Sequence, residues 1–424
     1  MGEPAADLPR SLRQVDPEVA DHIAAEARRQ SQRLELVASE NHISAAQLEA
    51  SGSILGNTTV EGYPGARFLA ASPAVDAIER LAIARASKLF DARFANVQPH
   101  SGTQANQAVF LALLRPGDKL LSMSLAAGGH FSHGEPGTMS GQWFQAFHYG
   151  VDARSALIDY EQVRELALLH RPRLIIAGAS AYPRSIDFAR FGQIAREVGA
   201  HLMVDIAHVA GLVATGHFPN PLPHADVVTS TTYKNFRGAR GGLILCNDPV
   251  LAGRLDAAVC PGLQGTPIMN LIAAKAVAFR EALLPEFAAY SGQVLRNARA
   301  LGNALAQRGI PMLTGGTDVP FLIADLRPLG IGADPLVRAL DALNVGCNAA
   351  PVPGDIDFSS ARGLRLGVSA LTTRGMREAE FTGIATVIAD AADAIAQGGT
   401  PPAGAADVVR ALCGRFASGP APTD

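Results

Sequence analysis

The sequence predicts an α/β fold, a mostly parallel sheet buried between helices and followed by a smaller α+β C-terminal domain. Three observations carry this reading. Short runs rich in Val, Ile and Leu alternate with helical stretches between about residues 119 and 246. FARFGQIAREVGA (188–200) falls between two such runs, where a right-handed crossover places a helix. Near 255–270 the alternation stops at CPGLQGTP, and a long helical pattern takes over.

Taken in chain order, residues 15–35 carry charges around an Ala/Ile pattern and read as an exposed N-terminal helix. VDAIERLAIARASKLF (75–90) spaces its apolar residues by three and four, an amphipathic helix. The strands expected are KLLSMSL (119–125), RLIIAGAS (173–180), HLMVDIA (201–207), DVVTSTT (226–232) and GLILC (242–246). Residues 271–309 read as one long helix or two in tandem, leading to PFLIADLR and GLRLGVSA as strands of the smaller part. The expected division is an arm over 1–35, a large domain over 36–280, a small domain over 281–400 and a tail over 401–424. The tail is rich in Gly, Pro and Ala, and its final stretch is expected to fray.

Composition narrows the function classes. The 424 residues carry 36 Lys and Arg against 39 Asp and Glu, a net charge of −3, and 18% are charged. That balance supplies no pull toward nucleic acid or an anionic membrane, so neither is an expected partner. At 48% hydrophobic the chain can bury a large core, and no apolar run approaches the ~20 residues that cross a bilayer. The N-terminal stretch offers no apolar segment suited to a secretory signal. Cys246, Cys260, Cys347 and Cys413 are far apart, with no CxxC pair. They read as reduced thiols of a cytoplasmic enzyme, with neither a disulfide frame nor a metal site.

Asp205 and Lys234 are the most informative pair. Asp205 closes an apolar run, which puts its carboxylate at the sheet edge where ligands collect. Lys234 follows the next strand signal and precedes a Gly/Arg loop, a place suited to forming an imine with pyridoxal phosphate. That cofactor needs an acid beside its ring nitrogen to act as an electron sink, and Asp205 has the position. Taken alone the pair also fits a solvated Asp and a surface Lys. HSGTQAN (100–106) stands ahead of a helical run, so its free N–H groups and hydroxyls suit a phosphate. An ordinary capped helix would look the same. His130, in GGH, could lie face-on against an aromatic ring or be a satisfied loop residue.

Nine blocks in this order resemble the serine hydroxymethyltransferase family. They are LVASENHIS (36–44), EGYPGARF (61–68), ANVQPHSGTQAN (95–106), GGHFSHG (128–134), LIIAGASAYPR (174–184), VDIAHVAGL (204–212), TTYKNFRGARGG (231–242), PGLQGTP (261–267) and LRLGVSALTTRG (364–375). The resemblance spans roughly residues 10–395. It implies the type I pyridoxal-phosphate (aspartate-aminotransferase-like) fold, and a homodimer, or a tetramer, with sites shared across the interface. By the same resemblance, Lys234 is the Schiff-base lysine, Asp205 the partner of the pyridine nitrogen and His130 the histidine stacked on the ring. Ser180 and His208 neighbour the ring hydroxyl. Ser101, Gly102 and Thr103 cradle the phosphate, and Gly265 reaches the phosphate of the neighbouring subunit. Arg365 clamps the amino acid carboxylate, Ser39 lies near it, and Glu61 handles protons at the substrate's β-oxygen or on folate.

The chain departs from the family pattern at several places. Tyr233 stands where a histidine usually precedes the imine lysine, and it enters the catalytic set with no role assigned. Thr59, Phe68 and Leu69 replace tyrosines, Ala127 replaces a histidine, and Ala350 stands where an asparagine reads the pterin. Each lost donor to folate costs about 1–3 kcal/mol. The expectation is therefore an enzyme that makes or breaks the Cα–Cβ bond of a β-hydroxy-α-amino acid of serine, threonine or α-methylserine type. Its first form is a folate-independent aldolase or transaldolase using an aldehyde, or an α-methylserine-type hydroxymethyltransferase. The alternative is an ordinary tetrahydrofolate-dependent serine hydroxymethyltransferase.

Overall fold

Proline and acidic caps set where the first helices begin. The computed structural model describes residues 11–69, 72–356 and 358–417. Helix α1 (Pro17–Ser31) starts at a proline, and the Asp16 carboxylate accepts the Val19 N–H at 2.9 Å. Helix α2 (Pro73–Phe90) buries Val75, Ala82, Ala86 and Phe90 along one face, as its periodicity predicts.

Seven strands then form the central sheet: β1 (Phe94–Asn96), β2 (Lys119–Met123), β3 (Gln145–Tyr149), β4 (Leu174–Ala177), β5 (His201–Asp205), β6 (Val227–Thr231) and β7 (Gly242–Cys246). Their spatial order is β1-β7-β6-β5-β4-β2-β3. The block from β6 to β3 is parallel, whereas β7 runs antiparallel to both β6 and β1. Side chains alternate between two cores. Leu121, Ile175, Val204 and Val228 enter one, and Leu120, Ile176, Met203 and Val227 enter the other. Helices α3 (Gly102–Leu113), α4 (Tyr160–His170) and α5 (Phe188–Val198) connect the strands.

Each of the five predicted runs contains one strand. The structure adds two that hydropathy does not reveal. β3, QAFHY, is an edge strand with only Tyr149 fully buried, and β1 spans just three residues. Neither needs the uniform apolar sequence of a strand covered on both faces.

The long helical pattern resolves into two helices, α6 (Met269–Ala282) and α7 (Pro285–Gln307). Pro285 cannot continue a helix, and Leu284 before it is extended at φ −85°, ψ 149°. Beyond lies a three-stranded antiparallel sheet in the order β8-β10-β9, made of β8 (Phe321–Asp325), β9 (Asn348–Ala350) and β10 (Gly363–Gly367). It packs with α8 (Ala333–Ala342) and α7, and α9 (Glu378–Ala396) packs on both of those helices. Leu34–Glu35 pairs in parallel with Val345–Gly346, so the chain after α1 joins this C-terminal part.

The reading of 401–424 as a tail needs correction. Helix α10 (Ala403–Arg415) forms there, and Ala405, Val409 and Cys413, four residues apart, are buried where it packs on α9. High Pro and Gly content masked a single apolar stripe, and Pro402 sits at the helix N-cap, where its missing N–H costs nothing. The stretch expected to fray, 418–424, lies outside the described residues. All four cysteines are free and buried. Among the described residues no helix is long and apolar enough to cross a membrane.

Candidate active site

The C-terminal ends of β4, β5 and β6 and the N-terminus of α3 converge on one pocket. Ser101, Gly102, Thr103, Asn106, His130, His133, Ser180, Asp205, His208, Tyr233 and Lys234 all line it. Local sequence explains the convergence. Asp205 is the last residue of β5, and Lys234 comes three residues after β6. The segment after β4 passes close to β5 because Gly178 is glycine: at φ 141° a Cβ there would lie 2.4 Å from the Asp205 carbonyl oxygen. Ser101 caps α3, its hydroxyl accepting the Gln104 N–H at 3.1 Å. That leaves the Gly102 and Thr103 N–H groups at the start of α3 without intrahelical partners, facing the pocket. Gly102 lets the helix start sit against β6, since a Cβ would be 2.5 Å from Thr231 Cγ2.

Asp205 is held as an anion. Burial pushes its carboxyl upward, but the His133 hydrogen bond, the neighbouring histidines and Asn106 bring it well below the usual carboxylate range. His133 Nε2 lies 3.1 Å from Asp205 Oδ2, Asn106 Nδ2 donates to the same oxygen at 3.0 Å, and the Ala207 N–H donates to Oδ1 at 2.9 Å. A carboxylate only accepts, so His133 carries its proton on Nε2. Asn106 is fixed in turn by accepting the Thr229 hydroxyl at 2.7 Å.

Lys234 is the opposite case. Full burial draws its amine down to about 8, and Arg365 adds to this while Asp205 resists it. Its Nζ lies 3.1 Å from His208 Nε2, which also meets the Ser180 hydroxyl at 3.2 Å. Burial holds the His208 ring well below its ordinary range, so it is neutral. His130, drawn down to about 4 chiefly by burial, is also neutral, with its ring 5.5 Å from that of His133. Arg365, on β10, donates from Nη1 to the Ser180 carbonyl at 2.6 Å and hydroxyl at 3.2 Å. Its Nε reaches Asn348 Oδ1 at 3.1 Å. Burial lowers it only to about 10, so it remains a cation beside Lys234.

Four sequence-selected residues stand outside this lining: Arg365, which reaches it through Ser180, and Glu61, Gly265 and Ser39. Glu61 and Gly265 face each other, a Cβ on Gly265 falling 2.9 Å from Glu61 Oε1. Ser39 follows Ala38, which packs against Gly367 at the end of the Arg365 strand. Tyr233 does line the pocket, its ring beneath the Arg240 guanidinium at 4.5 Å, with Glu40 3.8 Å from that guanidinium. Burial pushes its hydroxyl up. His133 and Asn106 are functional neighbours that the sequence reading passed over. His133 is the second histidine of GGHFSHG, and Asn106 lies one turn after Gly102, on the face of α3 turned to the sheet.

These residues fit pyridoxal phosphate. The α3 start and its hydroxyls suit the phosphate, the Asp205 anion suits a protonated ring nitrogen, and a buried amine near 8 suits an aldehyde. The His133 Nδ1 and His208 Nδ1 atoms are buried without a partner, which marks a polar site built for more than the chain itself.

Comparison with known proteins agrees. A family model described as serine hydroxymethyltransferase matches residues 12–388. A serine hydroxymethyltransferase of Caulobacter sp. (strain K31) is 51% identical over 411 residues, covering 96% of this chain and 95% of that protein. One from Zymomonas mobilis is 50% identical over 420 residues, 98% of each chain. One from Synechococcus sp. (strain JA-3-3Ab) is 54% identical over 392 residues, 89% of this chain and 90% of that one. With its type I fold and its pyridoxal phosphate chemistry, the chain belongs to the serine hydroxymethyltransferase family.

Proposed function

We propose that the protein transfers a hydroxymethyl group between serine and tetrahydrofolate, interconverting serine and glycine. The observation that carries this is the pocket in which a buried amine and a buried carboxylate meet, with the Arg365 guanidinium bonded to its Ser180 wall, in a chain about half identical to proteins bearing that name. The expectation of a folate-independent aldolase or transaldolase is set aside, because the relatives support the ordinary reaction. Phe68 and Leu69 are exposed and Ala350 is buried within β9. None of the three lines the pocket around Lys234. Each missing donor weakens a contact by about 1–3 kcal/mol, which tunes folate affinity without removing the reaction.

Bound pyridoxal phosphate supplies an aldehyde that condenses with amines and a ring that withdraws electrons from Cα. The chain's own residues do the rest. Ser101, Gly102 and Thr103 hold the phosphate. Asp205 keeps the proton on the ring nitrogen, and His133 and Asn106 keep Asp205 ionised. His130 would cover a ring face, and Ser180 and His208 would border the ring oxygen. Lys234, close to half neutral near pH 8, is the amine that would hold the aldehyde. Arg365 takes the substrate carboxylate in a bidentate pair, with Ser39 beside it. Glu61 moves a proton at the β-oxygen, and Tyr233 walls the pocket beside Lys234.

Glu61 and Gly265 complete the site of a second copy in a homodimer. Their mutual contact away from Lys234 supports this, as do the exposed Ile54, Phe68, Leu69, Leu263 and Ile268. The four free, buried thiols favour a reducing, cytoplasmic setting. The deciding experiment incubates the purified holoenzyme with L-serine, L-threonine or α-methyl-L-serine, each with and without tetrahydrofolate. Glycine release from serine that depends on folate is expected. Threonine or α-methylserine cleavage that outpaces it without folate would overturn the proposal.

A further inference from the structure

Helix α6 carries a buried cation that the reaction does not use. Lys275 is 2% exposed, and its Nζ donates to three backbone carbonyls: Val97 at 2.7 Å, Pro99 at 3.1 Å and Gly242 at 3.1 Å. An ammonium has three protons, so all three are used. Two of the acceptors belong to the segment that leads into the phosphate cradle, and the third to the strand packed against that segment. Val97 and Pro99 precede Ser101 in the β1–α3 loop, and Gly242 opens β7. Those segments already touch, because the Gly242 N–H donates to the Pro99 carbonyl at 2.8 Å and a Gly242 Cβ would lie 2.3 Å from the Ser101 carbonyl oxygen. The space for the ammonium is also built, since a Cβ at Gly241 would fall 2.0 Å from Lys275 Cε. Burial draws the amine down to about 7, and Glu79 resists this. A buried charge of this kind is retained only with dedicated acceptors.

We infer that Lys275 is a positioning residue for the cofactor's phosphate, clamping the Val97–Ser101 loop onto β7 so that the α3 N-terminus meets the ester in one geometry. This rests on pyridoxal phosphate binding at Ser101–Thr103. Lys275 touches neither cofactor nor substrate; it acts through the loop, much as a bound alkali cation ringed by carbonyls would.

The test compares affinities of the apoenzyme for pyridoxal 5′-phosphate and for pyridoxal, which lacks the phosphate. Lys275→Ala and Lys275→Met should weaken pyridoxal phosphate binding roughly ten- to hundredfold and leave pyridoxal binding within about twofold. In Lys275→Ala, added ethylammonium should restore the phosphate-dependent part. Equal losses for both ligands, or no loss for either, would overturn the inference. Should both variants fail to fold, Gly241→Ala applies the same strain from the loop side, and the same two affinities decide. If the wild-type protein itself showed no preference for the phosphorylated cofactor, the cradle assignment would fail first, which is a separate result.

Discussion

At Lys234 and Asp205, burial disfavours the charged form of both groups, and the difference lies in their partners. Asp205 receives three hydrogen bonds and stays ionised, while Lys234 receives a neutral histidine and loses affinity for its proton. Lowering the amine from 10.5 to about 8 means that its nucleophilic, neutral form grows through pH 8 instead of through pH 10. The rate at which apoenzyme takes up pyridoxal phosphate, followed by absorbance, should therefore rise with pH through a midpoint near 8 and level off about one unit higher; a midpoint near 10 would contradict it. Lys234→Ala should abolish the absorbance of the cofactor bound covalently through this residue. Asp205→Asn should retain the cofactor yet lose roughly 10²–10³ in kcat, as when one preorganised charge is removed from a catalytic site. His133→Ala should give a smaller loss in the same direction, because Asn106 and the Ala207 N–H still hold the carboxylate.

At the scale of elements, the site depends on a helix start pressed against a strand end. The Gly102–Thr231 approach leaves no room for a methyl group, and threonine, branched at Cβ, cannot swing it away freely. Gly102→Ala should cost about 1–3 kcal/mol through overpacking and weaken cofactor binding together with it. Thermal unfolding with and without pyridoxal phosphate measures both; an unchanged midpoint in each would mean that α3 shifts without strain. At this scale the strands β2, β4, β5, β6 and β7 were legible, because strands buried on both faces must be apolar throughout. The edge strand β3 and the helix α10 were not. One is under no such constraint, and the other hides a single stripe of small residues within Pro/Gly-rich sequence.

For the whole molecule, the residues assigned to one reaction divide into two groups in a single chain: the Lys234 pocket, and the Glu61–Gly265 pair outside it. The proposed two-fold dimer would bring each group to the partner's complement. Mixing and refolding a Lys234→Ala chain with a Glu61→Gln chain should then recover activity that neither has alone, approaching about 25% of wild type if assembly is random, since only the mixed dimer owns one intact site. Light scattering that found a monomer, or mixtures as inactive as their components, would rule that assembly out.

The sequence by itself determined the α/β class, the sheet's buried strands and the order of the motifs, and it picked out Lys234, Asp205, Ser101 and Arg365 as candidates for the site. These follow from local pattern: apolar runs, a helix start rich in hydroxyls, and family blocks at fixed spacing. Only the tertiary structure decided which groups are ionised and what holds them. His133 and Asn106 act on Asp205 from 72 and 99 residues away, and Lys275 reaches carbonyls 178, 176 and 33 residues distant. No local pattern records such pairs. Charge states in a protein interior are set by desolvation and by partners that arrive through the fold, from any distance along the chain.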